Sequence, residues 1–276
     1  MTTTEDRVEP LALLSRDLKR AAASMSASQA RYLVDYYYQQ QENRKRSDRQ
    51  TATMAEGGEP HELIQWLARN DGTFERNIQR ALDGYSDGHP VGLWSKSIVG
   101  IGPVLAAGLL ANIDITKAPT VGHIWRFAGL DPTVSWEKKE KRPWNARLKV
   151  IAWKIGESFV KVQNNEQDVY GHLMLAYKER ITAKNLAGDY AEAATAKLAK
   201  FKIGKDTEAY GHYSKGVLPP AHIHARAKRW AVKLFLAHWH HVGYETQYGC
   251  PPPKPYILEH NPAHTHIIAP PNWPMK

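Results

Sequence analysis

The stretch 97–110, Ser-Ile-Val-Gly-Ile-Gly-Pro-Val-Leu-Ala-Ala-Gly-Leu-Leu, limits the folds open to this chain more than any other. Gly100 and Gly102 flank a single isoleucine, so the backbone can turn tightly there between two apolar helices. Pro103 has its φ preset for the first turn of the second helix, where its missing N–H costs nothing. The N–H groups of Gly102, Val104 and Leu105 would then stand unpaired at the positive end of that helix, a favourable place for phosphate. The other reading is an ordinary buried helical hairpin with a glycine turn. A membrane span is disfavoured, because the apolar run 98–113 contains three glycines and a proline and falls short of the ~20 residues a bilayer requires.

The remaining pattern is helical. Leu11, Leu13, Leu14, Leu18 and Ala21 recur at helical spacing, and Ser26 or Ser28 can cap a helix through Tyr32, Leu33, Tyr36 and Tyr37. Gln39–Arg49 is almost wholly polar and reads as a long solvated helix or a coiled-coil arm, with solvation favoured. Two glycines and a proline in Thr53–Pro60 predict a break, followed by separate helices over His61–Leu67 and Phe74–Leu82. Further helices are expected over Thr120–Leu130, stopping at Gly129, over Asn145–Lys161 with Leu148, Ile151, Ala152, Ile155 and Phe159 on one side, and over Val169–Arg180 and Tyr190–Lys200. Pro220 opens the clearest one, Ala221–Val242, and eight prolines from Pro251 to Lys276 predict an extended tail lying on the surface. No strand signal is strong. The expected fold is mainly α, a multi-helix protein divided into a helical arm (1–90), a central helix-hairpin-helix-like domain (91–165), a helical region (166–250) and the proline-rich tail (251–276).

With 37 Lys and Arg against 28 Asp and Glu, a net charge of +9 favours an anionic partner such as nucleic acid. The bias is concentrated: Trp136–Lys161 holds eight basic residues against three glutamates. A single cysteine, Cys250, excludes a disulfide framework and a cysteine-based zinc site. The polar N-terminus shows no secretory signal, and a cytoplasmic location is expected.

The Gly-Ile-Gly hairpin, with Ala106 as the small residue four positions on, resembles the helix-hairpin-helix motif of DNA-repair and recombination proteins. In order, the hairpin, Ala128-Gly129-Leu130-Asp131-Pro132 and the basic Trp144-Asn145-Ala146-Arg147-Leu148-Lys149 resemble the C-terminal domain of the insertion sequence one-ten family of transposases over roughly residues 93–160. The resemblance implies DNA handling, and it aligns Ser135 with the family's DNA-attacking serine. Here Trp136 follows that serine where the family usually has glycine, and a turn serine beside an aromatic is the competing reading. Such transposases also begin with a ribonuclease-H-like domain opening on an aspartate-bearing strand. Residues 1–90 offer no such strand, since Asp17, Asp35, Glu42 and Asp48 sit in polar helical sequence.

Of the late histidines, His222 and His224, and likewise His238 and His240, are two apart and cannot share a helix face. Only His238 and His241 have ligand spacing, so surface or partly buried histidines are favoured over a metal site, as they are for His260, His264 and His266. Arg226, Lys228, Arg229 and Lys233 beside Trp230, Phe235 and Trp239 read either as a helix following a DNA backbone or as core aromatics with solvated charges. The leading expectation is sequence-tolerant, structure-specific binding of nucleic acid, with DNA favoured. The contacts would come from Gly100, Ile101, Gly102, Val104 and Leu105 of the hairpin, from Lys96, and from Lys138, Lys139, Lys141, Arg142, Arg147 and Lys149. No cofactor, metal or membrane is expected, and a homo-oligomer stays open. Two alternatives remain: a strand transferase using Ser135, and a helical interaction protein with a partner other than nucleic acid.

Overall fold

A computed structural model describes residues 11–58, 62–254 and 267–275, and among these the chain is helical with no strand. No helix among them is long and apolar enough to cross a membrane. The chain divides into two compact units, residues 1–96 with 102–114, and residues 97–101 with 115–276.

The first unit is built on two long antiparallel helices, α2 (Ala27–Glu56) and α3 (Glu62–Asp87), with α1 (Arg16–Ala21), α4 (Pro90–Lys96) and α5 (Pro103–Asn112) packed around them. Ser26 caps α2 reciprocally with Gln29, two otherwise orphaned donors being satisfied at once. Ala30, Val34 and Tyr37 of α2 meet Ile78, Leu82 and Tyr85 of α3 and Val104, Ala107 and Ala111 of α5 in one buried cluster. The polar half of α2 is a solvated helix clamped to α3 by Arg44 on the buried Glu75 (2.5 Å) and by the Ser47 hydroxyl donating to Asp71 (2.6 Å).

Two expectations are corrected here. The break falls at Gly57 and Gly58, within Thr53–Pro60, but α3 is one helix instead of two. Gly72 does not interrupt it, because the residues around it lie along α2, with Arg44 beside the glycine; the expected start at His61 lies outside the described residues. The leucine-rich segment 11–15 is not helical. Asn70 and Asn77 of α3 accept the N–H groups of Leu11 and Leu14, and Asn77 donates to the Ala12 carbonyl, so side chains of α3 take the backbone bonds a helix would have used.

The second unit is organised on α11 (Pro220–Tyr248), which contacts α6 (Val121–Phe127), α7 (Ala146–Val162) and α8 (Val169–Leu186), with α9 (Ala191–Lys200) and α10 (Glu208–Ser214) completing it. Phe159, Tyr170 and Phe235 pack with ring centroids 5.0–5.7 Å apart at its centre. The five apolar residues predicted for one side of α7 are all buried. Gly156 allows the close crossing of α7 and α11, since a β-carbon there would meet Lys228 Cγ at 2.7 Å.

His238 and His240 are buried within α11, at 4% and 3% exposure, not on its surface. The Tyr170 hydroxyl donates to His238 Nδ1 (2.7 Å) and His238 Nε2–H donates to the Ile268 carbonyl (2.8 Å). His240 Nε2–H donates to the Ala118 carbonyl (2.7 Å). Burial holds both imidazoles below the ordinary histidine range, against the two carbonyl hydrogen bonds, which favour the charged ring. The described parts of the tail, 251–254 and 267–275, are not helical. Trp273 donates to Glu245 (2.6 Å) and Asn272 to the Ser97 carbonyl (3.1 Å); residues 255–266, with His260, His264 and His266, lie outside the described residues.

Candidate nucleic-acid interface

The hairpin glycines are held by different constraints. Gly100 has φ +92°, its carbonyl accepts from the Ser158 hydroxyl (2.6 Å), and a β-carbon would crowd Ser158 and Val162. Gly102 has an extended backbone open to any residue, it is exposed, and a β-carbon on it would meet nothing within 4 Å. It is the N-cap of α5, no side chain caps that helix, and Pro103 follows in the first turn. Ile101 and Val104 are buried, Leu105 is half-buried and Ala106 is fully buried. The boundary between the compact units falls between Ile101 and Gly102, so Gly100 and Ile101 shape the connector of the second unit while Gly102, Val104 and Leu105 form the helix start in the first.

Lys96, the expected cation before the hairpin, is only 16% exposed and bridges Asp83 (2.6 Å) and Asp87. A phosphate would have to compete with two carboxylates for it.

The basic run forms an exposed loop on a tryptophan frame. Gly129, at φ +66°, ends α6 and turns the chain against Trp144. The Asn145 N–H donates back to the Phe127 carbonyl (2.9 Å), while its side chain caps α7 by accepting from Leu148 (3.0 Å). Between these anchors Trp136 and Trp144 meet edge to face at 6.0 Å, and Trp136 Nε1 donates to the Glu140 carbonyl (2.8 Å). Arg142 lies 5.5 Å over the Trp136 ring and Lys149 3.9 Å over Trp144, contacts that steady the cations and leave their charge in place. Burial, then the neighbouring Arg142 charge, pulls Lys149 below the ordinary lysine range.

Lys138, Lys139, Lys141, Arg142 and Arg147 are all exposed. Lys139 sits at φ +88°, a region disfavoured for a residue with a side chain. Trp136 and Trp144 flank Lys138, Lys139, Lys141 and Arg142 in the sequence, a spacing that charge alone does not single out.

Ser135 is exposed in the same loop, with no hydrogen bond to its hydroxyl among the described residues. Asp131, four residues earlier, is occupied by the Thr133 hydroxyl (2.7 Å) and N–H (2.9 Å), which hold its carboxyl below the usual range. No group of three or more His, Cys, Asp or Glu that could hold a metal occurs among the described residues.

No curated protein and no solved structure matches the chain. A family model does match part of it, and the matched residues run from the end of α4 through the hairpin, α5 and α6 into the basic loop. Over residues 95–143 this chain is similar to the Transposase IS116/IS110/IS902 family, the resemblance its hairpin and Ala-Gly-Leu-Asp-Pro turn had indicated.

Proposed function

We propose that the protein binds DNA mainly through its phosphates, with little direct reading of bases, in the setting of a transposase-related mobile element. The observation that carries this reading is the loop 136–149, where exposed cations stand on a fixed tryptophan frame within and just beyond the segment similar to transposases. Lysines without a carboxylate partner among the described residues supply charge that a polyanion can neutralise, and cations held over rings lose less freedom on binding. The exposed, uncapped start of α5, a helix-hairpin-helix-like feature, offers backbone N–H groups to a phosphate as a separate contact. Contacts of both kinds are indifferent to sequence.

The test is a panel of duplex, single-stranded and branched DNA, and of RNA, bound by the full chain over a range of salt. Affinity for DNA should fall with salt at a slope of about −0.9 per neutralised phosphate on duplex. The triple change Lys138→Gln, Lys139→Gln, Lys141→Gln should make the slope shallower and weaken all sequences alike. An unchanged slope, or no binding to any nucleic acid at low salt, would refute the reading.

A further inference from the structure

α11 carries a basic face distinct from both of these contacts. His222, Arg226, Arg229 and Lys233 follow one another at steps of four, three and four residues, so they line one side of the helix over ~16 Å. Two flat partners flank the face. Arg226 lies 4.6 Å over the Tyr190 ring, and Lys233 lies 4.1 Å over Trp125, whose indole N–H donates to the Lys233 carbonyl (3.0 Å).

Lys197 of α9 joins the face at its N-terminal end. Burial first, then the charges of Lys197, Arg226 and Arg229, hold the His222 imidazole below its ordinary range, while Tyr213 hydrogen-bonds its Nδ1 (3.1 Å). Among the described residues no carboxylate lies within 4.0 Å of Lys197, Arg226, Arg229 or Lys233. Asp131 alone acts on Lys233 at the far end, and its charge is felt there without an ion pair. The neighbouring Lys228, by contrast, is paired with Glu157.

A row of like charges without counter-ions is self-repulsive, and an anion along it relieves that cost. A single small anion reaches one step of the row. A nucleic-acid strand presents one charge per about 3.4 Å of axis, so several of its phosphates match the full length. We propose that the His222, Arg226, Arg229 and Lys233 face of α11, closed at one end by Lys197, is a second nucleic-acid surface that follows the phosphates of one strand. This rests on the nucleic-acid reading above.

The test uses the full chain with Arg226→Gln and Arg229→Gln together, beside Arg226→Lys with Arg229→Lys and the triple loop variant, on a duplex oligonucleotide. The glutamine pair should make the salt slope shallower by up to about 2, two cations at about 0.9 each, while the lysine pair keeps it. Saturating duplex should raise the pKa of His222, followed by imidazole NMR, in the wild type and in the loop variant but not in the glutamine pair. Unaltered near-ultraviolet circular dichroism, which reports the Tyr177–Trp230 stack, would show that the fold is kept. If the glutamine pair binds with the wild-type slope and His222 does not respond to DNA, this surface is ruled out while loop binding stands. If the wild type binds no nucleic acid, both readings fall.

Discussion

A β-carbon on Gly102 would meet no atom within 4 Å, whereas one on Gly100 would lie 3.1 Å from Ser158 Oγ and Val162 Cγ2. The fold therefore needs glycine at 100 and leaves 102 free for another use. Gly100→Val forces a branched side chain into the left-handed region and should cost about 1–3 kcal/mol of unfolding free energy, seen as a lower denaturant midpoint. Gly102→Val meets no steric barrier and should cost no more than about 1 kcal/mol, as a poorer N-cap for α5, yet weaken DNA binding, because the new side chain projects where a phosphate would approach α5. Equal affinity in the folded Gly102→Val protein would remove the α5 contact.

Lys139 is the converse case, a side chain kept where glycine would be more comfortable. Lys139→Gly should be at least as stable as the wild type, within about 1 kcal/mol, yet have a salt slope shallower by about 0.9. Deep in α11, His238 sets a pH limit. Its ordinary value of 6.5 is lowered to about 4 in the fold, chiefly by burial, so the unfolded chain takes up the proton first and stability declines as pH falls from 6.5 to 4. The shift corresponds to about 3 kcal/mol. His238→Gln should remove that part of the pH dependence in thermal unfolding measured across this range; an unchanged profile would place the titration elsewhere.

Among the helices, α7 shows what the sequence could disclose. Its start near Asn145, its buried side and its approximate length were all readable, because a 3.6-residue apolar period is a local signal, whereas the capping role of Asn145 came from the structure. Capping also ties the helix to the loop, since Asn145 holds both the start of α7 and the Phe127 carbonyl. Asn145→Ala keeps the backbone bond to Phe127 and removes only the side-chain cap, so it should lower stability by about 1 kcal/mol and weaken DNA binding by fraying the start of α7 beside the loop, but leave the salt slope unchanged because no charge is removed. Other features were not local. Whether α3 is one helix or two was decided by α2 lying alongside it, and the failure of 11–15 to be helical by asparagines some sixty residues away. The burial of His238 likewise depended on Tyr170 and Ile268, which no spacing along α11 announces. In the candidate interface, the basic run was legible as charge, whereas the Trp136–Trp144 contact and the burden of two carboxylates on Lys96 required the tertiary structure.

For the molecule as a whole, the decisive question is whether similarity over residues 95–143 brings chemistry with it. A serine hydroxyl attacks DNA only when a base or metal draws off its proton. Ser135 lies exposed on a loop without a hydrogen-bonded base among the described residues, and in the first unit Asp83 and Asp87 are paired with Lys96 and Glu75 with Arg44. The same unit is an all-helical assembly across its described residues, with none of the strands on which a ribonuclease-H-like metal site is built. On the DNA-binding reading we predict that the chain binds DNA without cutting or joining it, with magnesium or manganese supplied, and that Ser135→Ala binds as the wild type does. Denaturing electrophoresis of labelled duplex and branched DNA after incubation checks this directly. A covalent protein–DNA adduct that forms with the wild type and disappears in Ser135→Ala would overturn it, and would make the basic loop the wall of an active site.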